Sequence, residues 1–182
     1  MNVVQAFAYL IQAIFGIYSI LVLARFMLQL AGADFYNPIS QTVVKVTRVP
    51  LNAIRKIIPS YGRFDGASLL WLFIVQIIMQ ILLLSLTLQG GPNPTWIVAL
   101  IQYSFKSCAA LILNFWLFSI FIEVIGSWVA MGQQNPMLDL VAQINRPIME
   151  PIRKVLPSLG GLDLSPIIAL IGISFFKQLF GL

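Results

Sequence analysis

Long apolar runs and shorter polar stretches alternate along this chain, and their lengths and spacing define its helices. Val3 to Leu30 carries Arg25 as its one charge, and Ala67 to Leu88 carries none. Trp96 to Met131 holds Lys106 and Glu123, while Leu164 to Leu182, the shortest run, holds Lys177. A helix needs ~20 mostly apolar residues to cross a hydrocarbon core of ~30 Å, so each run is expected to span a bilayer. The polar stretches differ in kind. Residues 32–66 and 132–163 are long and basic, whereas the short stretch QGGPNPT between the second and third runs has no charge.

The two long stretches have a helical period of their own. Ile39, Val43, Val46, Ile54, Ile57 and Ile58 recur at near-helical spacing, with Lys45, Arg48, Arg55 and Lys56 between them. The later stretch repeats the pattern with Met137, Leu140, Val141, Ile144, Ile148, Ile152 and Val155, interleaved with Arg146, Arg153 and Lys154. This spacing predicts amphipathic helices lying in the interface, apolar side toward the acyl chains. Pro50 in one, and Pro147 and Pro151 in the other, are expected to kink or split them.

Both stretches are copies of one sequence. Asn37 to Asp65 (NPISQTVVKVTRVPLNAIRKIIPSYGRFD) aligns without gaps to Asn135 to Asp163 (NPMLDLVAQINRPIMEPIRKVLPSLGGLD), 98 positions later. Of 29 aligned positions 11 are identical: Asn37, Pro38, Val43, Arg48, Ile54, Arg55, Lys56, Pro59, Ser60, Gly62 and Asp65 in first-copy numbers. The expected fold is therefore an all-α membrane protein of two tandem, parallel repeats with four spans in total. Each repeat is a transmembrane helix, an amphipathic interfacial segment and a second transmembrane helix. Repeat one is residues 1–89, with spans at about 3–30 and 67–88 and the basic loop 32–66. A non-cytoplasmic turn at 90–95 leads to repeat two, residues 96–182, with spans at about 96–131 and 164–182 and the loop 132–163.

Composition supports the bilayer as solvent. Apolar residues make up 59% and charged residues 9%, against roughly 25% charged in soluble domains. With no histidine and the single cysteine Cys108, disulfide scaffolds, CxxC redox motifs, zinc sites and His-ligated haem are excluded within this chain. No cofactor, metal or catalytic residue is expected. The net charge of +5 would suggest nucleic acid for a soluble protein. Here it is concentrated in the two long loops, and the positive-inside rule places both in the cytoplasm. Both termini and QGGPNPT then face the periplasm of a bacterial inner membrane. The first span lacks a basic n-region and an A-x-A-like site, so it is expected to be retained rather than cleaved.

The loop cations Lys45, Arg48, Arg55, Lys56, Arg146, Arg153 and Lys154 have two readings. They fix topology, or they form a platform for anionic headgroups or a protein partner, with about 1 kcal/mol per cation at an anionic surface. Each loop ends in I-R-K-[IV]-[IL]-P-S-x-G-x-x-D. Pro59 and Pro157 are expected to end the interfacial helix, and Gly62 and Gly160 to permit a tight turn. Asn37-Pro38 and Asn135-Pro136 open the loops. Asp65 and Asp163 either cap the next span and complement its dipole, or pair with Arg55 and Arg153 as staples. Ser165-Pro166 has the form of a helix start, with Ser165 as N-cap and proline at the first helical position.

The run EPIRKVLPSLGGLDLSP, Glu150 to Pro166, resembles the signature of the YggT (YlmG) family of small bacterial and plastid membrane proteins. Bacterial members often carry two such repeats, and the resemblance covers nearly the whole chain. The first copy departs from it where LDLSP becomes Phe64-Asp65-Gly66-Ala67-Ser68. The resemblance implies roles in membrane organisation, cell division, and osmotic or ion homeostasis, and in plastids the assembly of b-type cytochrome complexes. It implies no catalytic residue.

Arg25 and Glu123 occupy equivalent positions inside the first and third spans. A mid-membrane charge costs roughly 2.5–3.5 kcal/mol on insertion scales and so faces protein and seeks a partner. An Arg25–Glu123 ion pair is expected, with independent snorkelling as the alternative. Gln29, Gln76, Gln80, Gln102, Asn114 and Gln178 are expected to hydrogen-bond neighbouring helices. Lys106 and Lys177 should reach the non-cytoplasmic interface, and Gly16, Gly126 and Gly172 mark close helix contacts. Function then follows in three classes. A non-enzymatic scaffold or assembly factor, with membrane or cytoplasmic partners and an open oligomeric state, comes first. A small transporter or channel subunit comes second. An enzyme comes last, since no reaction class finds its necessary groups.

Overall fold

A computed structural model describes residues 3–87, 94–129, 135–156 and 163–182. Six helices follow one another: α1 (Val3–Ala31), α2 (Pro38–Ile54), α3 (Gly66–Thr87), α4 (Pro94–Val129), α5 (Pro136–Val155) and α6 (Ser165–Leu179). Among the described residues there is no strand, only an isolated antiparallel bridge between Tyr61 and Phe64 that closes the turn before α3. The QGGPNPT turn, Met131, Pro157 and Gly160 lie outside the described residues or, for Pro94 and Thr95, have no described side chain.

Three helices are long and apolar enough to cross a membrane, at Val3–Ala31, Gly66–Leu86 and Trp96–Val129. The fourth apolar helix, α6, has 15 residues, which rise about 22 Å against a core of ~30 Å. Large apolar side chains point outward along these helices, among them Tyr9 at 74% exposed, Ile17 at 64%, Phe105 at 69% and Phe118 at 67%. Such a surface would be an aggregation hazard in water and is the natural exterior in lipid.

The spans bury a modest core at one end. One cluster joins Val22, Leu23, Phe26, Met27 and Leu28 of α1 to Val43 of α2, Leu72 of α3, and Leu140 and Ile144 of α5. A second joins Ile120 of α4, Met149 of α5, and Ala169 and Ile173 of α6. Both loop helices thus turn apolar residues into protein. On α2 the buried positions are Ser40, Val43, Thr47 and Leu51, spaced for one helical face, while Ile39, Val46, Val49 and Ile57 are exposed. The apolar residues expected to face acyl chains are therefore divided, because α2 and α5 pack directly against the spans.

The split expected at the prolines does not occur. α2 runs through Pro50, and α5 through Pro147 and Pro151, without a break. Each proline removes one backbone hydrogen bond. Buried side chains on both sides hold the helix together across the gap: Thr47 and Leu51 in α2, Ile144 and Met149 in α5. The helix starts obey local rules. Asn37 and Asn135 sit at the N-caps, their Oδ1 atoms accepting from the Ile39 and Met137 amides at 2.9 Å, with Pro38 and Pro136 in the first turn. Asn37 also donates through Nδ2 to the Pro136 carbonyl at 2.9 Å, so the starts of the two loop helices are tied together.

Candidate functional site

The polar residues inside this apolar protein gather where each first span meets its own loop helix. Arg25, 7% exposed, donates from Nη1 to the Val44 carbonyl and to Thr47 Oγ1, both at 2.9 Å. Thr47 Oγ1 in turn donates to the Val43 carbonyl at 2.7 Å. In the second half Asn145, fully buried, donates from Nδ2 to Glu123 Oε2 at 2.7 Å, and Ser119 donates to Asn145 Oδ1 at 2.5 Å. Under the 98-residue offset Arg25 corresponds to Glu123, and Thr47 to Asn145. The same joint is built twice with opposite charge.

The expected Arg25–Glu123 ion pair is therefore not formed. Each charged group instead hydrogen-bonds the small polar residue of the loop helix lying over it, and Glu123 Oε1 also lies 3.7 Å from Arg153 Nη2. Thr47 and Asn145 did not stand out in the sequence. They do occupy matching positions 22 residues after Arg25 and Glu123, a regularity visible only when the repeat is read together with its charges.

The second polar feature is the end of each loop. Arg55 Nη2 and Asp65 Oδ2 lie 2.5 Å apart, with the Asp65 side chain fully buried and that of Arg55 27% exposed. Ser68 Oγ donates to the same oxygen at 2.6 Å. Arg55 also donates to Gln29 Oε1 at 3.2 Å. Gln29 in turn donates to the Gly62 carbonyl at 3.4 Å. Gly62 has φ +58°, the left-handed conformation that glycine adopts freely, and it lets the chain reverse tightly before α3. Phe64 meets Phe26 edge to face at 5.7 Å. Burial raises the Asp65 pKa, but the bonds from Arg55 and Ser68 outweigh it and hold the carboxyl below its ordinary value.

The second copy repeats the pair in a more open setting. Arg153 Nε donates to Asp163 Oδ2 at 2.8 Å, both side chains nearly half exposed. Asp163 Oδ1 accepts from the Ser165 amide at 2.9 Å. Here too the small desolvation penalty is outweighed, by the bonds from Ser165 and Arg153, and the pKa is lowered. Asp163 thus staples and caps at once. The start of α6 differs from expectation: Leu164 occupies the N-cap without a side-chain bond, and Ser165 is already helical. Asp163 reaches the free amide first, which leaves Ser165 no capping role.

The other singled-out residues are spread out. Lys45, Arg48, Lys56, Arg146, Arg153 and Lys154 are exposed on or beside the loop helices, and Arg55 is half-buried in its pair. Arg146 reaches Glu150 at 3.3 Å. Gln76 donates to Ser19 at 3.2 Å between α3 and α1. Lys177 donates to Asn114 Oδ1 at 2.6 Å, so its ammonium turns to α4 rather than only outward. Gly126 lies hard against the Leu138 side chain, while a side-chain carbon at Gly16 or Gly172 would meet nothing within 4 Å. The expected close helix contact holds at Gly126 and fails at the other two.

Helices, paired polar joints and paired staples together define an all-α membrane protein built from two tandem repeats. The CCB3/YggT family model matches residues 4–86 and 102–182, one repeat in each segment. The chain belongs to that family. It is 43% identical over 171 residues to uncharacterized protein PA0392 of Pseudomonas aeruginosa, covering 94% of this chain and 86% of the relative. It is 34% identical over 182 residues to an uncharacterized protein encoded in the proC 3′ region of Vibrio alginolyticus, covering 97% and 94%. With uncharacterized protein YggT of Escherichia coli K12 it shares 36% identity over 160 residues, covering 88% and 81%. No solved structure matches the chain significantly.

Proposed function

We propose that the protein is a non-enzymatic membrane scaffold whose two loop helices form one basic platform on the cytoplasmic face of a bacterial inner membrane. The observation that carries this reading is the fixing of both loop helices to each other and to the spans. Asn37 reaches Pro136, the Asp34 amide donates to Gln143 Oε1 at 2.9 Å, and an Arg–Asp staple closes each loop. A loop whose only task was to place positive charge for topology would gain nothing from such rigidity. A docking surface does, because preordered groups lose less entropy when a partner binds. Lys45, Arg48, Lys56, Arg146 and Lys154 remain outward, available to anionic headgroups or an acidic partner.

In this arrangement α6 is the fourth span, with its flanks at 163–164 and 180–182 completing the crossing, and both termini are periplasmic. The charges Arg25 and Glu123 hold the platform to the spans instead of lining a pathway, which favours the scaffold over a transporter or channel subunit. The test is crosslinking from photoreactive residues in the loops, comparing the native chain with one in which Lys45, Arg48, Arg146 and Lys154 are replaced by glutamine. Specific neighbours lost in the variant support the platform. Saturable ion or solute flux in liposomes, abolished by changing Arg25 or Glu123, overturns it in favour of transport.

A further inference from the structure

Beneath α2, the first polar joint opens into a cavity of about 340 Å³. That size falls in the range of roughly 300–1,000 Å³ typical of small-ligand pockets. Its polar lining is Arg25, Gln29, Ser40 and Arg55, with Phe35 and Val44 beside them. Two arginines on one cavity are a poor way to build a core, since their like charges repel. Asp65 offsets one of them through its bond to Arg55, leaving one positive charge in excess. A third guanidinium, that of Arg63, lies against Gly32 at the cavity edge, where an added side-chain carbon would come within 3.4 Å of its Nε.

Donors here are left without acceptors. Ser40 Oγ and Arg55 Nε are buried and have no hydrogen-bond partner among the described residues, and the one unpaired acceptor beside them is Oδ1 of Asp65, whose other oxygen Arg55 already holds; Ser40 is only 2% exposed. The hydrogen bonds of Arg25 to described residues run through Nη1 alone, which leaves its other nitrogens for a ligand. Such unpaired buried donors are costly unless something accepts from them. Two of the carbonyls at the end of α1, which would repel an anion, are occupied: Gly32 and Ala33 donate to Gln29 and Leu28 at 3.1 and 2.9 Å. Asp34 is exposed, turns Oδ1 to the Tyr36 amide, and does not line the cavity.

We propose that this cavity binds the phosphate group of an anionic ligand, with Arg25, Arg55 and Ser40 as its donors. The planar guanidinium fork can donate to two oxygens of a phosphate at once, and the serine hydroxyl supplies a further, neutral bond. The second repeat serves as an internal contrast. There Glu123 replaces Arg25, Leu138 replaces Ser40 and lies over Gly126, and Arg153, the counterpart of Arg55, lies 3.7 Å from Glu123, so the equivalent corner lacks the excess positive charge and the serine donor. The site goes beyond the platform reading, since it binds its ligand whether or not the loops dock a partner.

Two sources of phosphate fit, a phospholipid headgroup at the interface or free phosphate from the cytoplasm, and the experiment separates them. The full chain, purified and delipidated, is titrated with inorganic phosphate by thermal shift. In parallel it is placed in phosphatidylcholine nanodiscs with and without phosphatidylglycerol, and retained lipid is counted by native mass spectrometry. A saturable response to phosphate alone assigns free phosphate, and retention of phosphatidylglycerol alone assigns the headgroup. Ser40→Ala, which removes no hydrogen bond to a described residue, should weaken either response about tenfold, and Ser40→Val, which puts apolar bulk where the hydroxyl stood, should weaken it further. Arg25→Gln should abolish it, but also frees Thr47, so the serine variants carry the test where that protein is unstable. No response to either probe overturns the site, as does a response that Ser40→Val leaves intact. Loop crosslinks that the glutamine variant leaves unchanged, with phosphate binding preserved, would remove the platform and leave this site standing.

Discussion

Asp65 and Asp163 show how burial changes the worth of one residue type in one motif. Both pair with the arginine ten residues earlier, yet Asp65 is fully buried and Asp163 is 44% exposed. Breaking a buried pair strands the remaining charge, at a cost of several kcal/mol, whereas an exposed pair contributes below about 1 kcal/mol. Asp65→Asn should therefore destabilise the protein by about 3 kcal/mol, the lower end for buried pairs because Arg55 is still partly solvated. Asp163→Asn should cost less than about 1 kcal/mol. Chemical unfolding in detergent micelles measures both, and equal costs would show that the two staples do the same work. The pH dependence has a definite sign. The folded pKa of Asp65 lies below its unfolded value, near 3.9, so its contribution is complete above that value and is lost as pH falls through the folded pKa. Unfolding temperature should hold level down to about pH 5 and then decline, and Asp65→Asn should flatten that decline. A decline beginning near neutrality would contradict the assignment. The motif itself was legible because it occurs twice; the difference in burial was not, since it depends on how Gln29, Phe26 and Ser68 close over one copy.

Between elements, the two repeats solve one packing problem in opposite ways. In repeat one a large residue on the span, Leu28, meets a small one on the loop helix, Ser40, at the same cavity wall. In repeat two the equivalent span residue is Gly126 and the loop residue is Leu138, and these are in tight contact. A side-chain carbon added at Gly126 would force Leu138 to move, which sets overpacking of roughly 1–3 kcal/mol against the ~1 kcal/mol that alanine gains over glycine in a helix. Gly126→Ala should thus be at least about 1 kcal/mol more costly in the native background than alongside Leu138→Ala, as a double-mutant cycle would measure. Equal effects in both backgrounds would exclude the contact. Helix positions were well marked in the sequence, down to the Asn-Pro starts. The passage of α2 and α5 through their prolines was not, because the gain from burying residues on both sides of a missing hydrogen bond is a tertiary quantity.

Across the whole molecule, the remaining question is how many times the chain crosses. With Cys108→Ser as background, single cysteines at Asn52 and Ala142 should react with a membrane-impermeant thiol reagent only from the cytoplasmic side. Cysteines at Val3 and Leu182 should react only from the periplasmic side. Cytoplasmic labelling at Leu182 with periplasmic labelling at Val3 would mean that α6 does not cross and that the chain has three spans. The sequence alone determined the helical class, the apolar exterior and the internal repeat, since these follow from local composition and period, which each segment carries with it. The tertiary structure decided the partners. Arg25 and Glu123, matched by the repeat, looked like an ion pair, but Arg25 lies against α2 while Glu123 lies against α5. Each charged group hydrogen-bonds a polar side chain on its own loop helix instead. Electrostatic pairing depends on distances of a few ångströms, and those are set by packing across the whole molecule, not by the spacing of residues along the chain.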